Sequence, residues 1–129
     1  MAKTLKRTKK TRKNVPQVRV AINASLNNTH VVVSDLDGNV LTWATGGSAG
    51  FKGAREATPY AAQVTTENAV AKAKTLHGAE SAAVYIKGIG PGREQAIRGV
   101  ISAGVNLDAI YDVTPVPHNG CRKKKIRKL

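Results

Sequence analysis

Lys87-Gly88-Ile89-Gly90-Pro91-Gly92-Arg93-Glu94 is the stretch on which the reading of this chain turns. An apolar run, Ala82-Ala83-Val84-Tyr85-Ile86, leads into it, and a helix-like run, Arg93 to Ala103, leaves it. This is the pattern of a strand turning through three glycines into a helix. Such a turn exposes backbone N–H groups at a helix N-terminus, where unpaired amides and the positive end of the macrodipole favour an anion. Lys87 and Arg93 bracket the glycines with two cations, and Arg98 follows on the helix. The expected partner of this turn is a phosphate.

Downstream, Gly104 ends the helix and Leu107 to Val113 reads as a strand. Thr114-Pro115-Val116-Pro117 stiffens the exit, since two prolines cannot continue a central strand. Upstream, Thr58-Pro59 combines an N-cap with proline at the first helical position, predicting a helix to about Leu76 with Gly78 past its end. Its alanines favour helix and allow close packing on a sheet. The segment Gly46 to Gly53 reads as a loop. Before it, Val18 to Asn23 alternates apolar and polar, as a half-buried strand does. Asn27-Asn28-Thr29 is a turn, and Val31-Val32-Val33 and Val40-Leu41-Thr42-Trp43 flank the hairpin cue Asp37-Gly38. The order β-β-β-α-β-α-β predicts an α/β protein with a mixed five-stranded sheet. A meander precedes two right-handed crossovers, and helices cover the sheet faces.

The chain has 129 residues and a net charge of +13, but the charge is unevenly spread. Lys3, Lys6, Arg7, Lys9, Lys10, Arg12, Lys13 and Arg19 open the chain without an acid among them. Arg122, Lys123, Lys124, Lys125, Arg127 and Lys128 close it in the same way. Between these ends the charges almost cancel. The reading is a globular domain over residues 17–117 with basic arms at 1–16 and 118–129. Arms of this composition cannot bury enough apolar surface to offset ordering entropy, so off their partner they are expected to be disordered. Blocks of one positive sign point to nucleic acid. Neither arm has the apolar face of an interfacial helix, so no membrane partner is expected. No apolar run reaches transmembrane length, and the N-terminus lacks the apolar core of a secretory signal. Cys121 stands alone and His30, His77 and His118 are dispersed, which argues against a disulfide or a metal site.

Three catalytic or cofactor readings compete with nucleic-acid binding. Asp35-Leu36-Asp37-Gly38 after an apolar strand resembles the first motif of haloacid-dehalogenase-type phosphohydrolases, and Asp108 and Asp112 resemble a later metal-binding pair. However, Asp37-Gly38 has hairpin spacing, only about 90 residues follow Asp35, and this chemistry explains no cationic arm. Turn chemistry accounts for the motif. The element order also resembles the three-layer ribonuclease-H-like arrangement, whose nucleases carry a metal-binding carboxylate on the first strand. Val18 to Leu26 has no Asp or Glu, so cleavage chemistry is not expected. Gly88-x-Gly90-x-Gly92 lacks the dinucleotide spacing and lies on a late strand, and no G-K-[ST] follows. No cofactor is implied.

Five stretches in order resemble the small-subunit ribosomal protein S-eleven family. They are Asn27-Asn28-Thr29, Gly50-Phe51-Lys52-Gly53-Ala54-Arg55, Thr58-Pro59-Tyr60-Ala61-Ala62-Gln63, the run Lys87 to Arg98, and Asp112 to Arg122 with its Thr114-Pro115-Val116-Pro117-His118-Asn119-Gly120 segment. The resemblance implies a non-enzymatic ribonuclease-H-like fold. It implies binding to small-subunit ribosomal RNA on the platform, bridging separate helices, beside the messenger's Shine–Dalgarno cleft near the exit site. Ribosomal proteins S-seven and S-eighteen and initiation factor three would be neighbours. The location would be the ribosome, in the cytoplasm or an organelle, with no homo-oligomer.

On this reading RNA is held by the N-terminal cations Lys3 to Lys13, by Asn27, Asn28 and Thr29, and by Lys52, Gly53 and Arg55. Lys87, Gly88, Gly90, Gly92, Arg93 and Arg98 continue the set, with His118, Asn119, Gly120, Arg122, Lys123, Lys124 and Lys125 in the tail. Arg can meet phosphate bidentately, and glycine loops allow close approach to folded RNA. Aromatics make up 4% of the chain and lie on core-like segments, so base stacking is expected to be minor. Asn119-Gly120 in a tail is prone to succinimide closure and isoaspartate formation, which would add a negative charge beside Arg122.

Overall fold

A computed structural model of the chain describes residues 13–128. Strand β1 (Gln17–Ala24) is followed by β2 (Thr29–Ser34), β3 (Val40–Thr45) and a 3-10 helix (Gly53–Ala57). Helix α1 (Pro59–His77), strand β4 (Ser81–Lys87), helix α2 (Arg93–Ser102) and strand β5 (Asn106–Asp112) complete the order. The predicted element sequence holds, except that the stretch between the expected Gly46–Gly53 loop and Thr58 coils into the 3-10 turn.

Local chemistry sets the boundaries. The Thr58 hydroxyl accepts a hydrogen bond from Ala61 N at 3.3 Å, and Pro59 follows it as the first helical residue. Gly78 closes α1 in the left-handed region at φ 64°. The carboxylate of Asp35 accepts from Asp37 N at 3.0 Å and Asn39 N at 2.8 Å, and from Asn39 Nδ2 at 3.1 Å. Those Asn39 contacts hold its carboxyl below the ordinary carboxylate value. Asp35 is thus the clasp of the β2–β3 hairpin, as turn chemistry predicts, and not a nucleophile at the end of a parallel strand.

The sheet order is β3-β2-β1-β4-β5. Strand β2 runs antiparallel to both β1 and β3, whereas β4 is parallel to β1 and to β5. Burial alternates strictly along β1: Val18, Val20, Ile22 and Ala24 are buried, and Gln17, Arg19, Ala21 and Asn23 are exposed. The same phase continues with Val31 and Val33 on β2 and Ala82, Val84 and Ile86 on β4. Against this face α1 sets Ala62, Ala69, Val70 and Ala73, and α2 sets Ala96 and Val100. The Thr42 hydroxyl donates to Ala69 O at 3.0 Å and ties β3 to α1. Buried Thr65 and Thr66 satisfy their hydroxyls on the carbonyls of Ala61 and Ala62 at 2.6 and 2.8 Å.

The expected third layer is not formed by the described residues. Both helices pack on one face and on each other, so close that a Cβ at Gly99 would lie 2.8 Å from Gln63 O. Strand order supplies the reason. The crossover from β3 to β4 and the crossover from β4 to β5 advance across the sheet in the same direction. Right-handed connections that advance the same way fall on the same side. The opposite face, with Arg19, Ala21, Asn23, His30 and Trp43, is left open.

Candidate nucleic-acid interface

Strands β1, β3, β4 and β5 point the same way, so the connections that follow them gather at one end of the sheet. In open α/β sheets this end is where ligands are met. It brings together the turn 25–28, the segment 46–58, the loop 88–92 and the chain exit after Asp112. These are the stretches that sequence separates and the family resemblance unites.

The gathering is stitched by hydrogen bonds. Asn28 Oδ1 accepts from Thr29 N at 2.7 Å and from Gly46 N at 3.1 Å, joining the β1–β2 turn to the segment after β3. Gly90 N donates to Ala24 O at 2.8 Å, laying the glycine loop across the end of β1. A Cβ at Gly88 would stand 2.2 Å from Ala24 O, and one at Gly90 2.2 Å from Ser25 O. These two glycines exist for close approach of backbone to backbone. Gly88 N is also engaged, donating to Thr114 Oγ1 at 3.2 Å. The row of outward amides is therefore shorter than the sequence suggests.

Arg93 is the hub of a brace. Its guanidinium pairs with Asp112 Oδ2 at 2.8 Å, donates to Thr114 Oγ1 at 3.2 Å, and donates to Gly88 O. Thr114 in turn gives Asp112 Oδ1 its backbone N–H at 3.0 Å and its hydroxyl at 2.6 Å. Thr114, its backbone N–H and Arg93 together pull the Asp112 carboxyl down to about 2. Sequence reading missed this brace. The signal was Asp112-Val113-Thr114, an aspartate able to bond the backbone two residues on.

A depressed folded-state value means the carboxylate's contribution is full above its ordinary value of 3.8 and is lost as pH falls through about 2. Hydrogen exchange should show Gly88 and Thr114 amides protected at pH 5 and released near pH 2. Asp112→Ala should release both at pH 5 while the exchange of core β1 amides stays unchanged. Equal protection in the variant would show that the brace does not hold the exit.

The cations around this end project outward. Lys52 is exposed just before the 3-10 turn, Arg55 on it, Lys87 at the end of β4, and Arg98 on α2. The tail residues His118, Asn119, Gly120 and Arg122 to Lys125 are exposed and lie in neither helix nor strand. Asn119 adopts φ 61°, the left-handed region. Arg93–Asp112 is the one ion pair among the described residues, so these cations are not neutralised by carboxylates there. Asn27 is exposed and Asn28 half-buried.

Other expected contacts are not available. Thr29, Gly90 and Gly92 are buried, and their role is packing: a Cβ at Gly92 would lie 2.6 Å from Ala62 Cβ. Lys13 stands at the opposite end, its carbonyl oxygen 2.9 Å from His77 Nδ1. There it borders an open cavity of about 470 Å³ that Asp35, Asp37 and Glu80 also line. Lys3, Lys6, Arg7, Lys9, Lys10 and Arg12 lie outside the described residues. Among the described residues no group of three or more His, Cys, Asp or Glu could hold a metal ion. No helix there is long and apolar enough to cross a membrane.

Residues 18–128 match the family described as "Ribosomal protein S11". The chain is 51% identical over 121 residues to "Small ribosomal subunit protein uS11" of Borreliella burgdorferi (strain ZS7), covering 94% of this chain and 92% of that one. It is 51% identical over 121 residues to the protein of the same name from Chromobacterium violaceum, with the same coverage. With that of Aromatoleum aromaticum it shares 48% identity over 130 residues, the full length of both.

Proposed function

This chain belongs to the ribosomal protein S11 family, and on that premise we propose how it meets its RNA. Membership makes it a structural constituent of the small ribosomal subunit that binds ribosomal RNA in translation, and not an enzyme. Its place is in the ribosome, with ribosomal RNA and other ribosomal proteins as partners.

Our finer reading is that the chain sits on the platform, bridges RNA helices there and helps to form the messenger's Shine–Dalgarno cleft near the exit site. Proteins S-seven and S-eighteen and initiation factor three are its proposed neighbours. The observation that carries the RNA-contact assignment is that Lys52, Arg55 and Lys87 are exposed at the end of the sheet from which the basic tail leaves, without carboxylate partners among the described residues. Residues 17–117 form the specifying core, and the arms 1–16 and 118–129 add phosphate contacts. Asn27, Asn28, Gly53 and Gly88 let backbone approach, while Arg93 acts by holding the exit in place. Asn119, ahead of Gly120, is the proposed position of isoaspartate formation.

The test is binding of the full chain to a platform fragment of small-subunit ribosomal RNA and to an unrelated duplex across salt. With 6–10 phosphate contacts, affinity should fall about 10³- to 10⁵-fold between 50 and 200 mM salt. Preference for the platform fragment should survive Lys52→Ala, Arg55→Ala and Lys87→Ala together, at lower affinity and with a shallower salt slope. No preference at any salt would overturn the platform assignment.

A further inference from the structure

The face of the sheet that the helices leave open is ordered in rows, because adjacent strands share register. Trp43 lies opposite Val32, Val32 opposite Ala21, Ala21 opposite Tyr85, and Tyr85 opposite Tyr111. One apolar row thus crosses all five strands, with an aromatic at or next to each edge. The row on one side carries His30, Asn23 and Lys87, and the row on the other carries Ser34, Arg19 and Ala83. None of the paired residues in either flanking row is a carboxylate; Asp108 falls at the bulge of β5 and has no partner on β4.

The aromatics are not core residues, contrary to their sequence setting. Trp43 is 59% exposed and Tyr111 49% exposed. Tyr85 and Tyr111 stack with centroids 5.0 Å apart and planes 24° from parallel. The Arg19 guanidinium covers Tyr85 at 5.6 Å from its centroid. Arg19 comes from the β1 side and Tyr111 from the β5 side, so cation, ring and ring form a column across the sheet. A column of π faces flanked by cations and free of carboxylates complements a strand of unpaired nucleotides. Bases extend the stack, and phosphates meet Lys87 and Arg19.

We propose that this open sheet face is a second RNA surface, distinct from the loop end, which stacks one or two unpaired bases of ribosomal RNA on Tyr111 and Trp43. It rests on the reading of the chain as an RNA-binding ribosomal protein, but it shares only Lys87 with the loop end, and its mode of contact is different. The loop end neutralises phosphates of folded RNA, and the sheet face holds bases that have left their helix.

Trp43 is the only tryptophan in the chain and lies in the row, so it reports on the face directly. The probe is a hexauridine single strand, compared with an RNA duplex of similar length, each titrated into the full chain at 200 mM KCl. Hexauridine should quench Trp43 emission and shield it from acrylamide; the duplex, held by the basic segments, should do neither. Tyr85→Ala with Tyr111→Ala should weaken hexauridine binding about 5- to 150-fold per stacked base lost. Affinity for the duplex should not change, and Tyr111→Phe should retain binding. Unchanged Trp43 emission on saturation with hexauridine overturns the proposal, whether or not the tyrosine variants fold. If the chain still prefers the platform fragment in that case, the ribosomal-RNA reading stands without this surface. Tyrosine variants that bind both RNAs normally yet fail to enter reconstituted small subunits would assign the face to a protein, also overturning it.

Discussion

Gly90→Ala is expected to cost about 3 kcal/mol or more of folding stability, a large share of a small domain's total. The added Cβ would stand 2.2 Å from Ser25 O and 2.8 Å from the carbonyl carbons of Ala24 and Ser25. All three are backbone atoms at the end of the central strand, and none can swing aside as a flexible side chain would. Relief requires lifting the loop from β1, which breaks the bond from Gly90 N to Ala24 O. Urea unfolding of the full chain should show a lower midpoint with an unchanged slope. Gly47→Ala is the comparison, since its nearest neighbour would be at 3.8 Å, and it should fall within about 0.5 kcal/mol of the parent. Equal midpoints for the two variants would mean that the loop does not rest on β1.

Ile22→Ala should cost about 2–5 kcal/mol, and its sequence neighbour Asn23→Ala about 0.5 kcal/mol or less. Ile22 is 1% exposed and is among the largest fully buried side chains, in a core whose other members are, apart from Ile86, mostly valine, alanine and threonine. Neighbours that small cannot collapse into the space of three lost carbons, so most of the cavity persists. Asn23 points to the open face. Calorimetric melting of the two variants therefore tests the layering itself. If a third layer covered the open face, Asn23→Ala would also be costly.

Where a boundary depends on local chemistry, it was legible. Thr58-Pro59, Gly78 and Asp37-Gly38 each act within a few residues, and each marks the end of an element in the fold. The layer count was not legible in this way. It depends on β4 joining β1 at its outer edge, a pairing of residues 64 apart in sequence (Gln17 with Ser81) that no local signal states. The aromatics were misread for a related reason. On β1 the polar residues Arg19 and Asn23 reveal which face is wet, but on β4 both Ala82-Val84-Ile86 and Ala83-Tyr85 are apolar. Periodicity alone gives that strand two equivalent phases, and only the placement of the helices chooses between them. At the loop end the residue types were right, but their duties were not separable. Arg93 and Lys87 read alike as cations beside glycine, yet one is braced to Asp112 and the other is exposed.

The joining of β4 to β1 has a consequence for how the chain is made. Strands β1, β2 and β3 are contiguous in sequence and can pair as soon as Thr45 is available. From then until Ser81 to Lys87 is synthesised, the central strand of the finished sheet is an edge strand. At about 5–20 residues per second, that interval lasts on the order of 2 to 8 s. An open edge is a template for foreign pairing, and inward or flanking charge is the usual protection. Arg19 in the middle of β1 supplies such a charge during nascent growth, before Tyr85 arrives to cover it.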